Sequence, residues 1–296
     1  MTDNSANTAK FVPITKPFFP ALFLATGLNI STILPVFAGT AQKTQLMSQS
    51  GKKVELTLVT YAVTKAAYSK IIPDFVAKWK RVVILETRAG NPKNIKNWTD
   101  LTKPDVKIIT ANPKTSGGAK WNFLALWGSV VKNGGNDTQA LKFITDVFKN
   151  VVVLPKDARE ASDAFYKKGQ GDVLINYENE VILAAQQGKT DTSYIVPPVN
   201  ISIDAPVAVV DKNVDKHGNR EVSEAFVKFL FTPEAQREFA KVGFRPVDST
   251  VSKEVKNKFP YIARLYTVAD LGGWSGVQKK FFADGAIFDK IQRGRR

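Results

Sequence analysis

The sequence predicts an α/β fold with two domains, and three observations support this. Short runs rich in β-branched residues, such as VKIITA at 106–111 and DVLINY at 172–177, have the composition and length of strands. Most of these runs are followed by a longer segment with apolar residues three or four positions apart, which is typical of an amphipathic helix. Finally, 296 residues with 44% apolar and 23% charged side chains are enough for two cores and exclude a disordered chain.

The elements follow in order along the chain. The predicted strands are 54–61, 82–90, 106–111, 151–155, 172–177, the YIVPP run and 205–211. The predicted helices are one ending at Lys80, a short one in NPKNIKNWTDL, 119–132, 137–149, 158–168, the ENEVILAAQQG run and most of the chain after 211. The first of these helices is predicted from Ala67, Ile71, Phe75 and Trp79, which recur at four-residue steps. Such alternation predicts parallel sheets with helices on both faces.

The first 38 residues have the pattern of a signal peptide. Lys10 and Lys16 precede a long uncharged apolar run that ends in a Val-Phe-Ala step, so cleavage is expected after Ala38, with Ala41 as the second choice. The alternative is a permanent membrane anchor. Three prolines, one glycine and one asparagine interrupt the run, and these interruptions argue against an anchor. We therefore expect an exported, soluble chain. The absence of cysteine excludes disulfides, zinc-thiolate sites and a lipoprotein start.

The net charge of +15 favours an anionic ligand or partner. Nucleic acid is one alternative, with Trp98, Trp121, Trp127 and Trp274 as possible stacking platforms. The lysines are scattered among amphipathic patterns, however, and the tryptophan spacings are typical of core positions. We therefore expect no nucleic-acid partner.

The stretch NPKTSGGAKWN, between a predicted strand and a predicted helix, is the main candidate for an anion site. Amide groups in the first turn of a helix have no internal acceptor, and the helix dipole places partial positive charge there. Ser116 adds a hydroxyl, and Gly117 and Gly118 let a ligand approach the backbone. The same residues also form an ordinary helix cap, so this pattern alone leaves both interpretations open.

The wider sequence resembles the periplasmic sulfate-binding proteins of bacterial ABC importers. The resemblance rests on AGNPKNIKNWTDL, NPKTSGGAKWNFLALWG, GDVLINYENE and LGGWSGVQKKFFADGAIFDKI, and it covers almost the whole chain after residue 38. It implies a type II periplasmic binding protein fold of two α/β lobes. Lobe 1 would comprise 43–111 and 201–296, and lobe 2 would comprise 112–200.

The resemblance also implies the ligand and its contacts. Sulfate would be bound in the periplasm by a monomer, without a cofactor or metal, and delivered to an ABC permease and its ATPase. Tyr177 stands where the family usually has a tryptophan, and Ala62 stands where many relatives have an aspartate that contributes its backbone amide. The implied ligand-binding residues are Ser116, Gly117, Gly118, Ala158, Tyr177 and Ala62.

One departure from the family concerns the sequence VAKWKRVVILE. A predicted helix ends at Lys80 and a predicted strand begins at Val82, with no turn-forming residue between them. The family has several dozen residues there, including a Gly-Gly-Ser-Gly loop with a further sulfate-binding serine. We therefore expect a shortened first lobe and weakened or altered binding.

Other functions are less well supported by the sequence. An enzyme would need a catalytic group, but the single histidine, His217, lies in a polar turn, and Glu178 and Glu180 are interpreted as solvated or paired with lysine. We therefore expect no enzymatic activity. Thiosulfate, molybdate and phosphate remain alternatives to sulfate, as does a remnant that no longer transports.

Overall fold

The computed structural model describes residues 42–47, 53–58, 77–188 and 191–294, and the signal-peptide prediction and Ala62 lie outside them. The strands in these residues are β1 Gln42–Met47, β2 Lys53–Leu58, β3 Ala77–Arg81, β4 Val83–Arg88, β5 Ile108–Ile109, β6 Val151–Val153, β7 Val173–Tyr177, β8 Thr192–Ile195, β9 Val199–Ile201, β10 Ile203–Pro206 and β11 Arg264–Tyr266. The α-helices are α1 Gly117–Val131, α2 Asp137–Lys149, α3 Ala158–Tyr166, α4 Glu178–Gln186, α5 Asp211–His217, α6 Arg220–Phe229, α7 Pro233–Lys241, α8 Ser249–Glu254, α9 Gly273–Val277 and α10 Ile287–Arg293. Trp98–Thr102 and Ala269–Leu271 are 3-10 helices, and Gln278–Phe282 is a π-helix.

Five strands form the main sheet, in the order β6-β5-β7-β4-β8. β5 is parallel to β6 and β7, whereas β4 is antiparallel to β7 and β8. The α/β class is confirmed, but the sheet is mixed because β4 enters it in the reverse direction. β4 and β7 are buried on both faces, as expected for a covered sheet, although Glu86, Thr87 and Asn176 interrupt their apolar residues.

The remaining strands form two-stranded ribbons: β1 with β2, β3 with β10, and β9 with β11. The prediction of a helix ending at Lys80 is wrong, because Ala77–Arg81 is β3, paired antiparallel with β10. Lys80 also exchanges two backbone hydrogen bonds of 2.9 Å with Arg245. These partners lie more than 100 residues away in sequence, so local apolar spacing could not reveal the pairing. The other part of that predicted helix lies outside the described residues.

The junction at Lys80 lacks turn residues because the chain makes no turn there. β3 runs into β4 with only Val82 between them. The buried side chain of Asn200 binds both backbone groups of Val83: its Nδ2 donates to the carbonyl at 2.7 Å, and its Oδ1 accepts from the amide at 3.2 Å. Asn200 thus gives the start of β4 the hydrogen bonds that a neighbouring strand would supply.

The five-stranded sheet includes strands from both sides of the predicted lobe boundary at residue 111. β4 and β5, which the prediction assigns to lobe 1, lie in one sheet with β6, β7 and β8. The strands that overlap the predictions 54–61, 82–90 and 205–211 lie in three different sheets, and the last of them, β10, already ends at Pro206.

The segment after residue 264 also packs on this larger sheet region, contrary to its predicted place in lobe 1. Phe281 and Phe288 contact Phe123 of α1, with ring centroids 5.7 and 5.9 Å apart. The hydroxyl of Tyr266 donates to the carbonyls of Leu124 and Ala125. Its ring lies against Gly128, where an added Cβ would be 2.1 Å from the ring. We call the sheet of β4–β8, its helices α1–α4 and the segment 264–293 the large lobe.

Trp98, Trp121 and Trp127 are buried in the core of the large lobe, and Trp274 packs against it. The interpretation of the tryptophans as core residues is therefore confirmed for all four. Helix α2 has the predicted bounds of 137–149, fixed by a capping box between Asn136 and Gln139. In the described parts of the chain, no helix combines the length and apolar character needed to cross a bilayer.

Candidate functional site

Helix α1 begins beside the carboxyl ends of β5 and β7, which is the edge where α/β proteins bind ligands. Ser116 is its N-cap: Oγ accepts from the amide of Ala119 at 3.3 Å, and the Ser116 amide donates to Asn112 at 2.8 Å. The serine hydroxyl keeps its own proton for another acceptor. The first turn contains no acidic residue, so the amides of Gly117 and Gly118 retain the partial positive charge of the helix end.

Gly118 is in close contact with Tyr177, the last residue of β7. The Tyr177 hydroxyl donates to the Gly118 carbonyl at 2.7 Å. A Cβ added to Gly118 would lie 3.1 Å from that hydroxyl and 3.7 Å from Ser116 Oγ. A side chain here would require the tyrosine hydroxyl to move by a few tenths of an ångström.

A small cavity opens between the starts of α1 and α3. Its lining includes Gly118, Asn122, Ala158, Asn176 and Tyr177. Ala158 is the first residue of α3, whose N-cap, Asp157, accepts from the Glu160 amide at 2.9 Å. The structure therefore brings together the predicted residues Ser116, Gly118, Ala158 and Tyr177, with Gly117 beside them in the chain. Ala62 lies outside the described residues.

Tyr177 offers a hydroxyl as its hydrogen-bond donor, where a tryptophan would offer an indole N–H. The hydroxyl proton is engaged by the Gly118 carbonyl, so donation to an anion requires the hydroxyl to rotate away from that bond. Burial raises the pKa of Tyr177, the charge of Arg81 lowers it, and Glu180 raises it further. The hydroxyl therefore stays protonated at neutral pH and remains a donor.

Two further polar groups near the cavity were missed by the sequence analysis. Asn122 donates to the Ile175 carbonyl at 3.0 Å, and its buried Oδ1 has no hydrogen-bond partner in the part of the chain that the structure describes. Arg81 stacks its guanidinium 4.9 Å from the centre of the Tyr177 ring, and its buried Nε has no hydrogen-bond partner among the described residues. In the sequence, Asn122 looks like one polar residue in an apolar helix, and Arg81 falls at the junction that was interpreted as a gap.

The two acidic residues after Tyr177 have different environments. Glu178 is fully buried and forms a two-bond ion pair with Arg245, at 2.6 and 3.0 Å, so its interpretation as solvated or lysine-paired is wrong. Burial raises the pKa of Glu178, and the Arg245 charge opposes this. Asn179 donates to Glu180 at 2.9 Å. His217 is exposed at the end of α5, and the described residues contain no cluster of three metal-ligating side chains.

Comparison with known proteins identifies the family of this chain. The model of the family described as "Bacterial extracellular solute-binding protein" matches residues 36–245. The chain belongs to this family. Its members are solute-binding proteins, and the α/β architecture of this chain is that of the type II periplasmic binding proteins.

Individual relatives of this solute-binding protein agree. It is 48% identical to a protein named sulfate-binding protein from Synechococcus elongatus, over 91% of this chain and 95% of the relative. It is 44% identical to the sulfate-binding protein of Escherichia coli, over 76% of this chain and 69% of the relative. The solved structure of the sulfate-binding protein SubI from Mycobacterium tuberculosis matches with a TM-score of 0.63 and 40% identity, over 70% of each chain.

The alignment with the Synechococcus relative spans 335 positions, more than the 296 residues of this solute-binding protein. That relative therefore contains residues with no counterpart here, as the predicted missing segment requires.

Proposed function

We propose that this chain captures sulfate outside the cytoplasm and delivers it to an ABC permease and its ATPase. One observation carries the proposal: the amide groups that open α1 border the same cavity as Ala158 and Tyr177, in a chain 48% identical over most of its length to a sulfate-binding protein. Sulfate is fully ionised at neutral pH and can accept from every donor around it.

The proposed site uses uncharged donors for most of its contacts. The amides of Gly117, Gly118 and Ala158 lie in the first turns of two helices, and the hydroxyls of Ser116 and Tyr177 add two further donors. Each hydrogen bond to a charged group contributes about 1.5–3 kcal/mol. The proposal also includes binding in the periplasm, by a monomer and without a cofactor.

Binding should be weaker than in a chain with a full first lobe. A micromolar ligand corresponds to a binding free energy of about −8 kcal/mol. Losing two donors with a missing serine loop would remove roughly 3–6 kcal/mol of this. We therefore expect a Kd of about 100 µM or weaker for sulfate.

Isothermal titration of the purified chain with sulfate tests the proposal, with thiosulfate, molybdate and phosphate as competitors. Gly118→Ala should weaken sulfate binding about tenfold or more, because its Cβ would narrow the gap beside the Tyr177 hydroxyl. Gly276→Ala is the matched control, since a Cβ there meets nothing within 4 Å, and its Kd should be unchanged. Absence of sulfate binding by the unchanged chain would reject the proposal, and tighter binding of a competitor would change its ligand.

A further inference from the structure

Arg81 lies at the edge of the sheet where the proposed anion site opens. In the β4–β7 pairing, Val83 is opposite Tyr177, the last residue of β7. Residues before Val83 therefore extend beyond the carboxyl end of β7, where α1 begins. The contact between the Arg81 guanidinium and the Tyr177 ring places this side chain on the same side of the sheet as Tyr177.

The contacts of Tyr177 connect this arginine with the start of α1. The Arg81 guanidinium carbon is 4.9 Å from the Tyr177 ring centre, and the Tyr177 hydroxyl is 2.7 Å from the Gly118 carbonyl. One side chain thus touches both the arginine and the glycine that borders the cavity. Stacking on a ring holds a guanidinium in position while leaving its edge available for hydrogen bonds.

A second stacked arginine, on the next strand, shows what a purely structural role looks like. Arg88, the last residue of β4, lies 3.8 Å from the Phe165 ring centre. Its nitrogens donate to the carbonyls of Phe165 and Gly171 at 2.8–3.0 Å. By contrast, the Nε of Arg81 is buried and has no hydrogen-bond partner in the described part of the chain. A buried donor without an acceptor is costly, and an anion would satisfy it.

We propose that Arg81 is an additional ligand of the bound oxyanion, supplying a positive charge and an Nε donor beside Tyr177. The inference rests on the proposed sulfate-binding function and adds one residue to it. It makes the site of this chain partly charge-assisted, whereas Ser116, Gly117, Gly118 and Ala158 offer uncharged donors. A guanidinium presents its donors in a planar fork that matches an oxyanion.

The test compares sulfate affinities by isothermal titration in the unchanged chain, Arg81→Gln, Arg81→Lys and Lys142→Gln. Arg81→Gln should raise the Kd for sulfate between about tenfold and a hundredfold, as expected for the loss of a charge-assisted hydrogen bond. Arg81→Lys keeps the charge but loses the planar fork, so its Kd should lie between those of the unchanged chain and Arg81→Gln. Lys142 is a surface residue of α2 paired with Asp146, so Lys142→Gln removes one positive charge far from the site and should leave the Kd unchanged.

Thermal unfolding without sulfate checks that each variant is folded. If Arg81→Gln unfolds, Arg81→Lys decides, because it preserves the charge and the aliphatic stem. A Kd equal to that of the unchanged chain in the folded variants would overturn the role of Arg81 while leaving the proposed function intact. An equal loss in Lys142→Gln would also overturn it, since the effect would then come from net charge. Failure of the unchanged chain to bind sulfate would reject both proposals.

Discussion

The large lobe and the region around α5–α8 are packed very differently. In the large lobe, five strands are covered by helices, and Phe123 lies among four other phenylalanine rings with centroids 5.4–6.0 Å away. In the other region, α6 is strongly amphipathic yet buries none of its ten residues. The ribbon of β3 and β10 connects this region to the large lobe, because β3 continues through Val82 into β4.

The difference teaches that an amphipathic pattern needs a partner surface before it stabilises a fold. Helix α6 has the sequence of a helix that should cover a sheet, and the described residues show no wide sheet beneath it. The large lobe has that sheet and also holds the cavity and the start of α1. The candidate site therefore lies in the better-packed of the two regions.

A pair of phenylalanine truncations should give the largest contrast between the regions. Phe123→Ala should lower the free energy of unfolding by about 3–5 kcal/mol, because it empties a position 1% exposed in the core. Phe226→Ala in the half-exposed face of α6 should cost about 1 kcal/mol or less. Urea unfolding of both variants at neutral pH measures this, and equal losses would show that the two regions are packed alike.

The ion pair between Glu178 and Arg245 joins the two regions, and breaking it should have the next largest effect. Arg245→Met leaves a fully buried carboxylate without its partner and should cost about 3 kcal/mol, the low end for such pairs because Arg245 is 18% exposed. The double variant Glu178→Gln with Arg245→Met should recover part of this loss, since no buried charge remains. Chemical unfolding of the single and double variants gives the coupling energy. An additive double variant would contradict the pairing.

Glu86 should make the stability of the large lobe depend on pH. Burial raises the pKa of this carboxyl to about 7, although hydrogen bonds from Tyr166, Thr192 and Asn176 oppose the shift. Because the folded pKa is raised above the unfolded value of 4.5, its stabilising contribution is complete below pH 4.5 and is lost as pH rises through 7. Glu86→Gln should match the unchanged chain near pH 4 and exceed it above pH 7 by about 3 kcal/mol.

Thermal or urea unfolding across this pH range measures the effect. Glu221→Gln, which changes an exposed carboxyl of α6, is the control and should leave the pH profile as it is. A profile that Glu86→Gln does not change would show that this carboxyl ionises without cost in the folded protein.

Local signals in the sequence predicted most helices and strands of the large lobe. The capping box at Asn136 and Gln139 fixes the start of α2, and the serine before two glycines marks the start of α1. The reversal of β4 and the strand at Ala77–Arg81 were not predictable in this way. Both depend on pairing with β7, β8 and β10, which are distant in sequence.

The candidate site was predicted by family resemblance and helix-cap chemistry, but its internal bonds were not. The residues Ser116, Gly118, Ala158 and Tyr177 do lie together. The bond from Tyr177 to Gly118, and the orientation of Arg81 toward the Tyr177 ring, depend on side-chain packing between elements far apart in the chain. No spacing rule contains that information.

The hydrogen bonds of the Asn200 side-chain amide affect how the start of β4 responds to a change in the length of the chain before it. This amide satisfies the peptide groups of Val83 with a residue 117 positions later in the chain. The hydrogen bonds that hold the start of β4 therefore do not come from the residues before Arg81. The first residue of β4 thus keeps both of its backbone hydrogen bonds whatever the length of the segment that precedes it.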